Sequence, residues 1–256
     1  PAVNAPSAEP GSPGEPPAPL DFETDIQQSC QRGLPYAYAG QILSAAGWAS
    51  GFVVKESVVL TAAYAVFDDV ALSFVPEVKW FFQRHVGAYE PPPQVARGWF
   101  VLGGYAAQRQ ADASPGLASV ASQNLDVAAL YFLGPAGRGG YGGYLVSHRA
   151  PGEWLFLSSL HTLIGYPVET IPAADRGKLH ATAIQHVGFQ QVSNQVFSTT
   201  DIKSYPGGSG GPLCVEGDNG VFYPAAIYLG ETSLTVVRVI DPDVVELMNH
   251  AEYAGQ

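Results

Sequence analysis

From about Tyr36 onward the chain is a succession of short apolar, β-branched and aromatic runs, each closed by turn-forming residues. The pattern predicts strands near 38–43, 47–54, 57–63, 71–75, 78–84, 98–105 and 126–133. A glycine-dense stretch at 134–152 then reads as a crossover. Beyond it the same texture predicts strands at 153–158, 160–166, 178–187, 189–200, 211–216, 221–229 and 234–240. Many short strands without a long helical period mean an all-β protein, either a barrel or a sandwich. The one clear helix is Asp241 to Glu252: Asp241 can cap it, Pro242 suits its first turn, and Val244, Leu247 and Met248 make an apolar stripe. Residues 1 to about 20 are rich in Pro, Ala, Gly, Ser and Glu and predict a flexible arm. A short helix is expected over 21–31. The organisation expected is therefore an arm and transitional segment at 1–35 and a folded domain at 36–253.

Composition narrows the class. A length of 256 residues suits one domain or two small subdomains, and 46% hydrophobic residues are enough for a sizeable core. Twelve Lys and Arg against 23 Asp and Glu give a net charge of −11. With no basic cluster, nucleic acid and anionic membranes are not expected partners. No apolar run approaches the roughly 20 residues of a membrane span, so no membrane insertion is expected. No basic-then-apolar leader follows Pro1, so a signal peptide is expected to have been removed or to lie outside this sequence. Cys30 and Cys214 fit no metal or redox spacing; two buried thiols and one disulfide both stay open.

Candidate chemistry concentrates in Tyr205-Pro-Gly-Gly-Ser-Gly-Gly-Pro-Leu213. Four glycines in five positions suit neither helix nor strand. They suit a tight turn that aims N–H groups beside a hydroxyl. Ser209 would then be a nucleophile, with the N–H groups of Gly207 and Ser209 as an oxyanion hole. A plain surface turn is the alternative.

The longer string resembles the nucleophile loop of the trypsin-like (chymotrypsin-fold) serine peptidases. Two further stretches carry the resemblance. Asn124-Leu-Asp126-Val-Ala-Ala-Leu is similar to the family's aspartate at the start of a buried strand, where a carboxylate needs a partner. Val58-Val-Leu-Thr-Ala-Ala-Tyr64-Ala-Val is similar to the histidine motif, preceded by the glycine-containing Gly47-Trp-Ala-Ser-Gly-Phe-Val-Val. Tyr64 stands where the family has histidine. The resemblance implies two antiparallel β-barrels, at about 36–133 and 153–253, joined by 134–152 and closed by the C-terminal helix.

A phenol cannot replace the imidazole: its ordinary pKa is about 10, against about 6.5 for histidine. It is protonated at neutral pH and cannot take the serine proton. Donation of its hydroxyl to Asp126 or Ser209 is the expected role. His85, His148, His161, His180, His186 and His250 lie in no context resembling a triad base and show no zinc-like spacing, so neither metal nor cofactor is expected.

The resemblance also implies a specificity pocket with its floor near Lys203, lined by Tyr205 and Pro206 and walled by Tyr228, Leu229 and Gly230. Lys203 could favour an acidic side chain or point to solvent. Gly208 replaces the aspartate that anchors a new N-terminus in zymogens, so the loop should order without activation cleavage. These expectations describe a secreted, periplasmic or cell-surface monomer of bacterial type that binds peptide or protein. It would hydrolyse slowly or not at all, as a pseudopeptidase or an inactivated peptidase. The alternatives are an active peptidase using another base, and a structural or adhesive module.

Overall fold

A computed structural model describes residues 22–24, 33–87, 92–112, 118–158, 160–169, 171–203, 205–230 and 234–256. Among these, two antiparallel sheets carry most of the chain. One runs, edge to edge, through Gln94–Val95, Val78–Phe82, Ala39–Ser44, Gly47–Lys55, Val58–Thr61, Ala128–Tyr131 and Gly98–Val101. The other runs through Phe22–Thr24, His180–Thr182, His161–Gly165, Pro212–Glu216, Phe222–Gly230, Thr235–Val239, Val196–Thr199 and Gln190–Gln191. Both sheets curl, and the C-terminal helix Pro242–Ala254 closes the fold.

Successive side chains point to opposite faces of each sheet. In the first sheet Ile42, Val53, Val59, Trp80 and Leu130 turn inward and are fully buried, with Tyr105 and Phe132 beside them. In the second, Leu163, Phe197, Leu213, Val215 and Val237 do the same. A third cluster joins them: Phe52, Val58 and Leu60 of the first sheet meet Ile227 of the second, Ile240, and the helix residues Val244, Leu247, Met248 and Ala251. Burial of large side chains on both sheets and the helix is the main favourable term holding the two halves together, at about 25 cal/mol per Å² of apolar surface. Asp241 caps that helix, its Oδ1 accepting from the Val244 N–H at 3.1 Å, as the sequence indicates.

Three parts of the sequence reading are corrected. The run at 153–158 is a helix, Glu153–Leu157, that starts after Gly152 in the left-handed conformation. Only Leu155 of it is buried, whereas Phe156 and Leu157 are exposed. A four-residue apolar run such as Trp154–Leu157 does not distinguish helix from strand by period. The expected helix over 21–31 fails at its start, because Phe22–Thr24 pairs as a strand with His180–Thr182; residues 25–31, Cys30 among them, lie outside the described residues. The predicted strand at 98–105 ends at Val101 and gives way to a helix, Tyr105–Ala111, followed by a second at Val120–Leu125. Other predicted strands are shorter than expected: the stretch 57–63 narrows to Val58–Thr61, and 189–200 becomes the hairpin Gln190–Gln191 with Val196–Thr199.

Candidate active site

The nucleophile-like loop is built from turns that close on themselves. The Gly208 N–H donates to the Tyr205 carbonyl at 3.1 Å, and the Gly211 N–H to the Gly208 carbonyl at 3.1 Å. Gly207 and Gly210 sit at φ +86° and +85°, where a side chain is strained. Crowding reinforces the requirement. A Cβ at Gly207 would lie 2.5 Å from Val168 Cγ2, and one at Gly211 would lie 2.1 Å from the Ile164 carbonyl oxygen. The loop is pinned to the first sheet by the Ser50 N–H, which donates to the Ser209 carbonyl at 2.7 Å. On the other side the Gly210 N–H donates to the Tyr228 carbonyl at 2.6 Å. No acceptor for the N–H groups of Gly207 and Ser209 is found among the described residues.

Ser209 is 4% exposed. Its hydroxyl lies against Gly230, where an added Cβ would come within 2.7 Å of Oγ. Gly230 is at φ +83°, so this wall also needs glycine.

Asp126 caps the end of the Val120–Leu125 helix, just before strand Ala128–Tyr131. It is 4% exposed, and its Oδ1 accepts from the Tyr64 N–H at 3.0 Å. The Ala63 N–H is a second backbone donor to it. Those N–H groups open the short 3-10 turn Ala63–Val66 that follows strand Val58–Thr61. Asp126 is thus held by main chain. Burial pushes its carboxyl up to about 7, while the two N–H groups and the nearby Arg109 pull it only partly back.

Arg109 stands in a buried network the sequence reading missed. It pairs with Asp69 and Asp112, and Asp112 also accepts from the hydroxyls of Ser119 (2.6 Å) and Ser122 (2.8 Å). The Ser119 hydroxyl caps the Val120–Leu125 helix by accepting from the Ser122 N–H at 3.2 Å. Ser119 is a preferred N-cap residue type, a signal that could have located this helix.

Tyr64 lies between these groups. Its ring is half-buried and packs against the cluster under the C-terminal helix. Its oxygen end is enclosed, which drives the phenol pKa well above its ordinary value; the Ser209 hydroxyl, a hydrogen-bonding neighbour, opposes this, and the charge of Asp126 adds to it. The phenol is therefore a neutral O–H at any physiological pH.

The structure brings Ser209, Asp126 and Tyr64 together. Among the described residues, no hydrogen bond from a histidine to Ser209 or Asp126 is found. His161, fully buried, is satisfied elsewhere: its Nε2 faces the Leu155 carbonyl at 3.1 Å and its Nδ1 the Val187 N–H at 3.3 Å. Among the residues expected to line a pocket, Lys203 and Pro206 are exposed and Tyr205 and Leu229 half-buried. Tyr228 is fully buried, and its Oη accepts from the Tyr205 N–H at 2.9 Å, which ties the loop to the strand Phe222–Gly230. Cys214 is a buried free thiol, its ionisation pushed up by burial.

The raised Asp126 carboxyl has a consequence for stability. An unfolded aspartate titrates near 3.9. Between that pH and about 7 the folded chain holds a proton that the unfolded chain has released. This group's contribution is therefore fully present below about pH 4 and is lost as pH rises through about 7, at up to about 1.4 kcal/mol per pH unit. Asp126→Asn is expected to flatten that part of the profile. Urea unfolding at pH 4.5 and 7.5 checks it: the native chain should lose more stability over this interval than the variant, and equal losses would refute the assignment.

No protein-family model matches the sequence, and no curated protein matches it. Solved structures do. The chain is similar to a Glu endopeptidase determined in complex with MPD, at TM-score 0.69 and 12% identity over 91% of this chain and 96% of that one. It is similar to the protease Anisep from Arthrobacter nicotinovorans, at TM-score 0.61 and 14% identity over 84% and 95%. A thermostable serine protease, AL20, from an extremophilic microorganism matches at TM-score 0.63 and 13% identity over 84% and 97%. The fold is the chymotrypsin-like double β-barrel with a C-terminal helix, the fold shared with these proteases.

Proposed function

We propose that this chain is a serine-endopeptidase scaffold that keeps its nucleophile loop and aspartate but lacks the proton acceptor. It binds peptide in its cleft and hydrolyses it slowly or not at all. The observation that carries this reading is the place of Tyr64: its N–H holds Asp126 while its enclosed, neutral phenol stands beside Ser209. In this reading Ser209 is the nucleophile, Asp126 the orienting carboxylate, and Tyr64 the occupant of the base position. The N–H groups of Gly207 and Ser209 form the oxyanion hole. Lys203, Tyr205, Pro206, Tyr228, Leu229 and Gly230 line or support the substrate cleft. Without a base, Ser209 retains its proton, and on the order of 10³–10⁴-fold acceleration over water is what such a frame supplies. The proposal includes a location outside the cytoplasm and a monomeric state, both resting on the family resemblance.

The test is retention of a peptide library on the immobilised chain, with the eluate read by mass spectrometry. Peptides should be retained, displaced by a peptide aldehyde, and recovered uncut. Rapid cleavage, or retention indifferent to the aldehyde, would overturn the proposal.

A further inference from the structure

We infer that Ser50 is the positioning residue that holds the oxyanion-binding backbone in its working conformation. This rests on the site reading above. Ser50 lies on strand Gly47–Lys55 of the first sheet and is 1% exposed. Its hydroxyl donates to the Gly207 carbonyl at 3.1 Å and accepts from the Tyr166 N–H at 2.8 Å. Its N–H donates to the Ser209 carbonyl at 2.7 Å. Its carbonyl accepts from the Thr61 hydroxyl at 2.7 Å. Every polar group of this one residue is therefore used, and together they join both sheets to the loop.

The bond to Gly207 has a specific consequence. The Gly207 carbonyl belongs to the peptide between Gly207 and Gly208. Fixing that plane sets the rotation on the far side of Gly207, and with it the direction in which the Gly207 and Ser209 N–H groups point relative to each other. Gly207, at φ +86°, resists no rotation by itself, because glycine populates many conformations. Gly208, the residue before Ser209, has no side chain with which to anchor the loop. The Ser50 hydroxyl supplies that anchor from another strand, without a charge. The Val168 N–H helps by holding the Pro206 carbonyl at 3.1 Å. Gly165 permits the close approach: a Cβ there would sit 3.0 Å from the Gly208 carbonyl oxygen and 3.2 Å from the Ser50 Oγ.

Hydrogen exchange on the full chain tests the anchor without any catalysis. In Ser50→Ala the amides of Gly208 and Gly211, which close the loop's own turns, should exchange at least about 10-fold faster. Those of Gly47–Lys55 and Pro212–Glu216 should keep their rates. Ser50→Cys, which keeps a weaker donor, should fall between the two. Unchanged exchange in the loop, or equal acceleration throughout, would overturn the inference. A second arm places Ser50→Ala in a Tyr64→His background. There kcat should fall about 10–100-fold with KM held within about two-fold, because an oxyanion donor acts in the transition state. An unchanged kcat would also overturn it. If Tyr64→His shows no turnover while the loop amides accelerate in Ser50→Ala, the anchor stands and the peptidase reading of the site fails instead.

Discussion

Replacing Tyr64 by histidine is expected to raise peptide hydrolysis by at least about 10²-fold in kcat/KM, since a positioned general base is worth about 10²–10⁴-fold. The ground is prepared on every side. The Tyr64 N–H already bonds Asp126 at 3.0 Å, and the loop carrying Ser209 is closed by its own turns. On the proposed reading, what the site lacks is a group that can take the serine proton near neutral pH and be steadied by a carboxylate. An imidazole at position 64 would also change Asp126. The carboxyl now held up to about 7 by burial would gain a cationic neighbour each time the imidazole charged, and would be drawn back towards the ordinary range. The rate should rise with pH through the imidazole range, and a fluorogenic peptide panel across pH 5 to 9 would show it. No gain at any pH would contradict the assignment of position 64.

A second large effect is expected at Gly210. It combines φ +85° with crowding from two atoms at once: an added Cβ would lie 2.2 Å from both the Ser50 carbonyl oxygen and Thr61 Oγ1. These two atoms are bonded to each other at 2.7 Å, so neither can retreat without losing that bond. Left-handed strain adds about 1–2 kcal/mol and forced overpacking about 1–3. Gly210→Ala should therefore lower stability by about 2–5 kcal/mol, a fall in Tm on the order of 10 °C for a chain of this size. Thermal unfolding checks it, and a Tm within about 2 °C of the native value would mean the loop does not pack as described.

Much of this site is legible in the sequence because it is written in local strings. Glycine-serine-glycine spacing announces a loop that no regular element tolerates, and the stretches around Asp126 and Tyr64 carry their own flanks. The strands, too, follow from short runs rich in β-branched and apolar residues, as in Val58–Thr61 and Thr235–Val239. What escapes is whatever depends on distant partners. Ser50 is an ordinary serine in a strand until the fold sets it against Gly207, 157 residues away. Arg109 reads as a charge in a polar stretch, yet it is 5% exposed and pairs with Asp69 and Asp112. Local pattern misleads where a run is short and apolar on all sides, as in Glu153–Leu157, whose helix is decided by the turn at Gly152. The alanine-rich helix Tyr105–Ala111 shows no apolar period long enough to announce it. Barrel and sandwich share one strand pattern, and the order of strands in the two sheets is a property of the fold as a whole.

The measurement that bears most directly on the central claim is the rate at which a fluorophosphonate labels Ser209, compared between the native chain and Tyr64→His from pH 5 to 9. The native chain should label slowly and without a titration near neutrality, because its neighbour is a neutral phenol. The histidine variant should label at least about 10²-fold faster, with a rise through the imidazole range. Rapid stoichiometric labelling of native Ser209 with a titration near pH 7 would show that a base is present and that Tyr64 does not mark its loss.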